Sequence, residues 1–373
     1  MLMSAIIASS LSPEAPAIRT PVLPAAVAPA ERQMSAQLIT WAPGEVRCKA
    51  TLVKSSMVRR PWSSLSFGGA VPAPVTFRFS IDATGRPLSI VRNGERFIPF
   101  GEDLGPAFAT SRFSAGHALS DCSITYSAAA HPLSEAPVED LVSYTITPIG
   151  PRLPQEGWDR IAAGGSCWKR PFPQPLIRAI PDFRRIEGTP GVKDWSLIGY
   201  DTDKNGTPRN VHMVDGTGNG ALTRAAEQAV ANSRFTGENR TGCLYPYWKS
   251  PATLAPPPAP EERAFKSEDS NCPVRTKWKK PLATRFPEAW RRRSIEGWAV
   301  LTYDLAPWGV AGNIKVVAAE PAEDFGWQAQ MIVQNASAES SPTGATGCVE
   351  TVHFMMSRDD EPAAEDGMAR PLY

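Results

Sequence analysis

No run in this 373-residue chain approaches 18 consecutive apolar residues, so the sequence predicts no membrane-spanning helix. An excess of charge is equally missing: 39 Lys and Arg stand against 38 Asp and Glu, a net of +1. A protein that neutralises many phosphates carries a basic surplus, so nucleic acid is not the expected partner. Histidine is scarce, and His117, His131, His212 and His353 show no metal-ligand spacing. No C-x-x-C occurs, which removes zinc ribbons and thioredoxin-type redox sites. There is no P-loop and no G-x-G-x-x-G, and Gly164-Gly165-Ser166 lacks the frame of a nucleophile elbow. With no constellation of nucleophile, base and oxyanion donors, the chain reads as non-enzymatic, without metal or other cofactor.

What the chain has in abundance is proline, 37 residues, which argues against long helices and for strands, turns and extended connections. At 42% hydrophobic and 21% charged it is otherwise of globular composition. Its first residues, MLMSAIIASSLSPEAPA, place an apolar stretch (Leu2 to Leu11) ahead of an Ala-Pro-Ala near Ala17. That order resembles the apolar and cleavage regions of a secretory signal, although the basic n-region is missing. Six cysteines follow: Cys48, Cys122, Cys167, Cys243, Cys272 and Cys348. The steps from 48 to 122, 167 to 243 and 272 to 348 are 74, 76 and 76 positions. One spacing repeated three times predicts the disulfides Cys48–Cys122, Cys167–Cys243 and Cys272–Cys348, because free buried thiols have no reason to recur at a fixed period. Paired cysteines in turn point to an oxidising compartment outside the cytoplasm.

Within each cysteine pair the same order of elements is legible. A period-2 strand ends in Asp: VTFRFSID (75–82), WSLIGYD (195–201) and WAVLTYD (298–304). A Gly-bearing turn at Gly85, Gly206 or Gly309/Gly312 leads to a return strand, PLSIV, RNVHMV or NIKVV. A helix-compatible stretch comes next, clearest at 221–235, where Leu222, Ala225, Ala226, Ala229 and Val230 share a face. Ser-Arg-Phe recurs verbatim at 111–113 and 233–235, and a further strand starts at each second cysteine. The predicted fold class is α+β: three tandem small domains, each an antiparallel sheet of two to three strands with one main helix packed on it. Residues 1–35 read as signal-like segment and Pro-rich leader, 36–127, 151–250 and 263–358 as the domains, and 359–373 as a disordered tail. Residues 128–150 read as a linker or an extra strand, with LVSYTITPI (141–149) the strand candidate. PATLAPPPAP within 251–262 reads as a stiff extended linker with few contacts, so that residues 261–358 are expected to fold alone.

The third copy resembles the C-terminal domain of the TonB family. The residues that carry the likeness are Phe286-Pro287-Glu288, Ile295-Glu296-Gly297-Trp298, Gly312-Asn313, Val316-Val317, Pro321, Phe325 and Ala329. The first two copies are similar through the hairpin, the helix and the Arg-Phe, so the resemblance spans roughly 36–126, 151–248 and 263–356. It departs from TonB in having three copies, paired cysteines and no N-terminal membrane helix. What the resemblance implies is a periplasmic, non-enzymatic binding protein that captures an extended peptide of an outer-membrane transport receptor, or of another envelope protein, by strand addition. The third copy's last strand, the longest without proline, is the expected edge, at Val349, Thr351, Val352 and Phe354; Pro246 interrupts its counterpart in the second copy.

Two further features are weighed. Asp201-Thr-Asp203-Lys-Asn205-Gly206 imitates the start of a calcium loop, but its twelfth position is His212, so a hairpin turn is expected. Lys277-Trp278-Lys279-Lys280 and Arg291-Arg292-Arg293 with Trp290 form two basic, aromatic clusters. They read foremost as solvated faces, and alternatively as contacts to peptidoglycan in an envelope structural protein.

Overall fold

The computed structural model describes residues 35–356, apart from positions 115, 148, 283 and 284, together with Gly367 and Met368. The signal-like segment and leader expected over 1–35 lie outside the described residues, Ser35 apart. Three times along the chain a hairpin, a helix and a returning strand follow one another. In the first copy, short lead-in strands β1 (Gln37–Pro43), β2 (Arg47–Cys48), β3 (Thr51–Leu52), β4 (Ser55–Met57) and β5 (Ser64–Ser66) precede the hairpin β6 (Val75–Ile81) and β7 (Pro87–Asn93). Helix α1 (Leu104–Ala109), β8 (Arg112–Phe113) and the long β9 (Leu119–Pro132) complete it. Helices α2 (Val138–Ile146) and α3 (Gln155–Ala162) follow. The second copy runs β10 (Pro175–Ile177), β11 (Asp194–Thr202), β12 (Pro208–Gly216), α4 (Gly220–Asn232), β13 (Arg234–Phe235) and β14 (Arg240–Lys249). The third runs α5 (Glu288–Arg292), β15 (Gly297–Leu305), β16 (Ala311–Glu320), α6 (Glu323–Gln334) and β17 (Ala345–Phe354); β18 (Gly367–Met368) comes last.

In each copy the first hairpin strand is flanked, antiparallel, by its hairpin partner and by the returning strand: β7-β6-β9, β12-β11-β14 and β16-β15-β17. The disulfides join Cys48 to Cys122, Cys167 to Cys243 and Cys272 to Cys348, the three pairs that the spacing predicts. The repeat extends to backbone detail. A left-handed residue sits in each second strand (Ser89, Asn210, Asn313), and another stands immediately before each second cysteine (Asp121, Gly242, Gly347). Ser-Arg-Phe recurs because each member has a task. The Ser111 and Ser233 hydroxyls accept lead-in N–H groups, from Arg59 and Ala179 respectively. The Arg112 and Arg234 side chains donate to the Ala109 and Ala231 carbonyls at the end of the preceding helix, and Phe113 and Phe235 are buried. The turn glycine is demanded outright: Gly206 has φ +73, and a Cβ there would lie 1.9 Å from the Phe235 carbonyl oxygen. Gly206→Ala is therefore expected to cost about 2–3 kcal/mol, read from the urea midpoint.

The separateness of the copies does not hold. One hydrophobic core joins Phe77, Ile90 and Phe108 of the first copy to Trp290, Phe325 and Phe354 of the third. At their seam the Ile90 N–H donates to the Pro321 carbonyl at 3.0 Å, and Glu320 and Glu323 accept the N–H groups of Ser89 and Arg92. Burial pushes both carboxyls above their ordinary range. The proline-rich stretch is not a free linker either. Leu254 exchanges backbone hydrogen bonds with Ser294 and Glu296, Gly191 donates to the Ala252 carbonyl, and the Trp298 indole donates to the Pro257 carbonyl at 2.7 Å. Prolines remove donors but leave carbonyls, and here those carbonyls and the interspersed alanine and leucine face the neighbouring copies.

Residues 128–150 form neither a linker nor an added strand over 141–149. β9 continues to Pro132 and α2 follows. Glu139 and Asp140 occupy the first turn of that helix, where its dipole favours anions. Leu141, Val142, Tyr144 and Ile146 pack with Trp195 and Leu197 of β11, on the sheet face opposite α4. The β-branched and aromatic content that reads as a strand serves a helix buried under a sheet. The tail expected to be disordered contributes a described element, β18. The described residues, from Ser35 onward, belong to one compact unit.

Candidate strand-addition edges

Strand addition needs a row of backbone donors and acceptors facing away from the sheet. In all three copies the outer side of the returning strand is met by another part of this chain, in three different ways. Along β9 it is paired with β2 at Cys48↔Cys122 and with β1 from Pro43↔Tyr126 to Gln37↔Pro132. Along β14 it takes β18 antiparallel, with Met368 opposite Tyr247 and Gly367 opposite Trp248. This pairing begins one residue beyond Pro246, the residue that marks β14 as the poorer edge in the sequence. Along β17 the partners are side chains: Glu262 accepts the Thr351 N–H at 3.0 Å, and Asn271 accepts the Thr346 N–H at 2.6 Å.

The four residues expected to capture a peptide thus fall into two groups. Thr351 opposes Val300 on β15 and turns its N–H outward, and by the antiparallel alternation Val349 shares that direction. Val352 and Phe354 turn their donors toward β15, and their side chains are 4% and 0% exposed in the core above α6. Their donors and side chains serve the sheet and the core. The Thr351 donor is already satisfied by a carboxylate. No sequence pattern signals this, because Glu262 lies 89 residues from Thr351. The other edge of these two sheets belongs to β12 and β16, where bulges interrupt the ladder at Val214 and Val317 and spoil a flat edge, and where Glu227 accepts the Met213 N–H.

The residues on which the family resemblance rests in the sequence are mostly architectural. A Cβ on Gly297 would meet the Phe325 ring at 2.5 Å, and Glu296 accepts the Met356 N–H. The arginine cluster is committed as well. Arg291 pairs with Glu288 and Arg292 with Glu102, while Trp290 and Arg293 are both 2% exposed. Of the lysine cluster, Trp278 is held by Glu350 at 3.2 Å and packs against Tyr303. Lys279, Lys280 and Arg285 remain at the rim of a groove of about 560 Å3 floored by Met331 and Ile332 of α6. Asp203 holds a hairpin turn: its carboxylate accepts the N–H groups of Thr207 and Asn205 and pairs with Arg209, bonds that keep it below the usual carboxylate range. The fold and its edges define an α+β protein of three ββαβ repeats. No protein-family model matches the chain, and no curated protein matches it in sequence.

Proposed function

We propose that this chain is a non-enzymatic binding protein of the cell envelope, exported to the periplasm, whose repeats resemble the TonB C-terminal domain. It captures an extended segment of an outer-membrane receptor or another envelope protein by strand addition. The observation that carries this reading is the pairing of β18 on β14: a sheet edge takes two residues from a distant part of the chain, antiparallel, beside Tyr247 and Trp248. An edge that accepts the chain's own strand has the geometry to accept a foreign one. This favours the second copy over Val349–Phe354 of the third. The three disulfides fit an oxidising compartment.

On this reading the chain's own tail competes with the peptide. Removing residues 357–373 is expected to tighten binding of an extended receptor peptide roughly tenfold, since a tethered competitor acts at high effective concentration. Fluorescence anisotropy measures the affinity, and amide exchange should show new protection at Tyr247–Lys249. Receptor peptides that bind neither form, or protection confined to another edge, would end the proposal. The groove at Lys279, Lys280 and Arg285 favours a second reading, adhesion to peptidoglycan. Retention on insoluble peptidoglycan that is lost in a Lys279→Glu, Lys280→Glu protein would support it instead.

A further inference from the structure

Where the three copies meet, the fold leaves a cavity of about 330 Å3. Arg59, Arg60 and Trp62 come to its wall from the lead-in of the first copy, Asp140 from α2, Lys193, which lies 5.9 Å from the Trp248 ring, from just before β11, Asp215 from the end of β12, and Arg293 from the turn after α5. Most of these charges are spoken for. Arg293 donates to both oxygens of Asp103, at 2.6 and 2.5 Å, with its guanidinium 4.2 Å over the Trp62 ring. Arg60 reaches Asp140 at 3.7 Å.

Two groups are not. Arg59 gives Nη1 to the Thr217 carbonyl at 2.8 Å, but its Nε is buried with no partner among the described residues. Burial, above all, holds this guanidinium below its ordinary value, against the pull of Asp194. Asp215 has no ion pair or hydrogen bond among the described residues, and its charge bears on Asp140. The Asp140 carboxyl is pushed up, first by burial and then by Glu139 and Asp215, against the pull of Arg60. The cavity therefore carries an unsatisfied cationic donor and an unsatisfied carboxylate together. A simple anion would meet Asp140 and Asp215, a simple cation would leave the Arg59 donor unpaired, and an uncharged ligand would satisfy neither.

We propose that this junction cavity binds a small zwitterion of the class of a free amino acid or dipeptide, its carboxylate on the Arg59 guanidinium and its ammonium between Asp140 and Asp215. The volume lies at the low end of small-molecule sites, and Trp62 supplies an aromatic wall. Because all three copies contribute, the bound ligand fastens the junction. This inference is independent of strand addition.

The test uses the full chain with three probes: alanyl-alanine, its N-acetyl form and its amide. Alanyl-alanine is expected to raise Tm by roughly 5 °C once it stands ~100-fold above its Kd. Calorimetric titration should show each blocked form binding at least roughly tenfold more weakly, the loss of one charge-assisted contact. Asp215→Asn should bring alanyl-alanine down to the level of its N-acetyl form, and Arg59→Lys should weaken both carboxylate-bearing probes while sparing the amide. Equal binding of the three probes by the unaltered chain would overturn the proposal, as would the absence of heat and of any Tm shift. An Asp215→Asn protein that still discriminates against the N-acetyl form would overturn the ammonium site.

Discussion

Residues 261–358, expressed alone, are expected to remain molten, without a cooperative thermal transition, whereas 35–358 unfolds in one. The fragment keeps its disulfide and its three strands, but it loses the other half of its core. Trp290, Phe325 and Phe354 pack in one cluster with Phe77, Ile90 and Phe108. Cutting at 261 also removes Leu254 from between Ser294 and Glu296, and Pro257 from the Trp298 indole. Exposing several large buried side chains at roughly 1.5–3 kcal/mol each exceeds the stability of a domain this small. Calorimetry and near-UV circular dichroism decide the matter. A sharp transition in the fragment would mean that the third copy has a core of its own.

The second large effect lies at Asp103. Its carboxylate takes two hydrogen bonds from Arg293 and one from the Trp62 N–H at 2.7 Å, and the two side chains are 4% and 2% exposed. Arg293 also reaches the Gly191 carbonyl, so one guanidinium touches structure from all three copies. Asp103→Ala leaves that charge buried without its partner, which is expected to cost about 3–5 kcal/mol in urea unfolding. Replacing both, Asp103→Leu with Arg293→Met, is expected to recover much of the loss, because the desolvation cost of the pair disappears with it. A single variant within about 0.5 kcal/mol of the unaltered chain would show that the pair is solvated in solution.

Much of the architecture was legible in the residues. The cysteine spacing predicts the pairs, the Asp-ended alternating runs predict the hairpins, and Ser-Arg-Phe marks the junction after the helix in two copies. In the third copy Ala336-Ser337-Ala338 replaces it, and backbone bonds keep the geometry: the Ala338 N–H donates to the Gly309 carbonyl and the Lys279 N–H to the Ser337 carbonyl. Residues 141–149 read as a strand because a helix buried against a sheet face shows neither strict alternation nor a polar stripe. The candidate site was the least legible part. That Val352 and Phe354 face inward while Thr351 faces out depends on register, which one position of shift reverses.

The sequence by itself determined the α+β class, the repeated hairpin–helix–strand order, the three disulfides and the near-neutral charge, because each is a matter of composition, short-range period or repeat. The tertiary structure alone decided that the first and third copies share a core, that α2 covers the second sheet, and that each returning strand already has a partner. It also decided that Asp103 and Arg293, 190 positions apart, form one buried pair. Such features are set by which faces meet when apolar surface is removed from water, and that outcome belongs to the chain as a whole rather than to any segment of it.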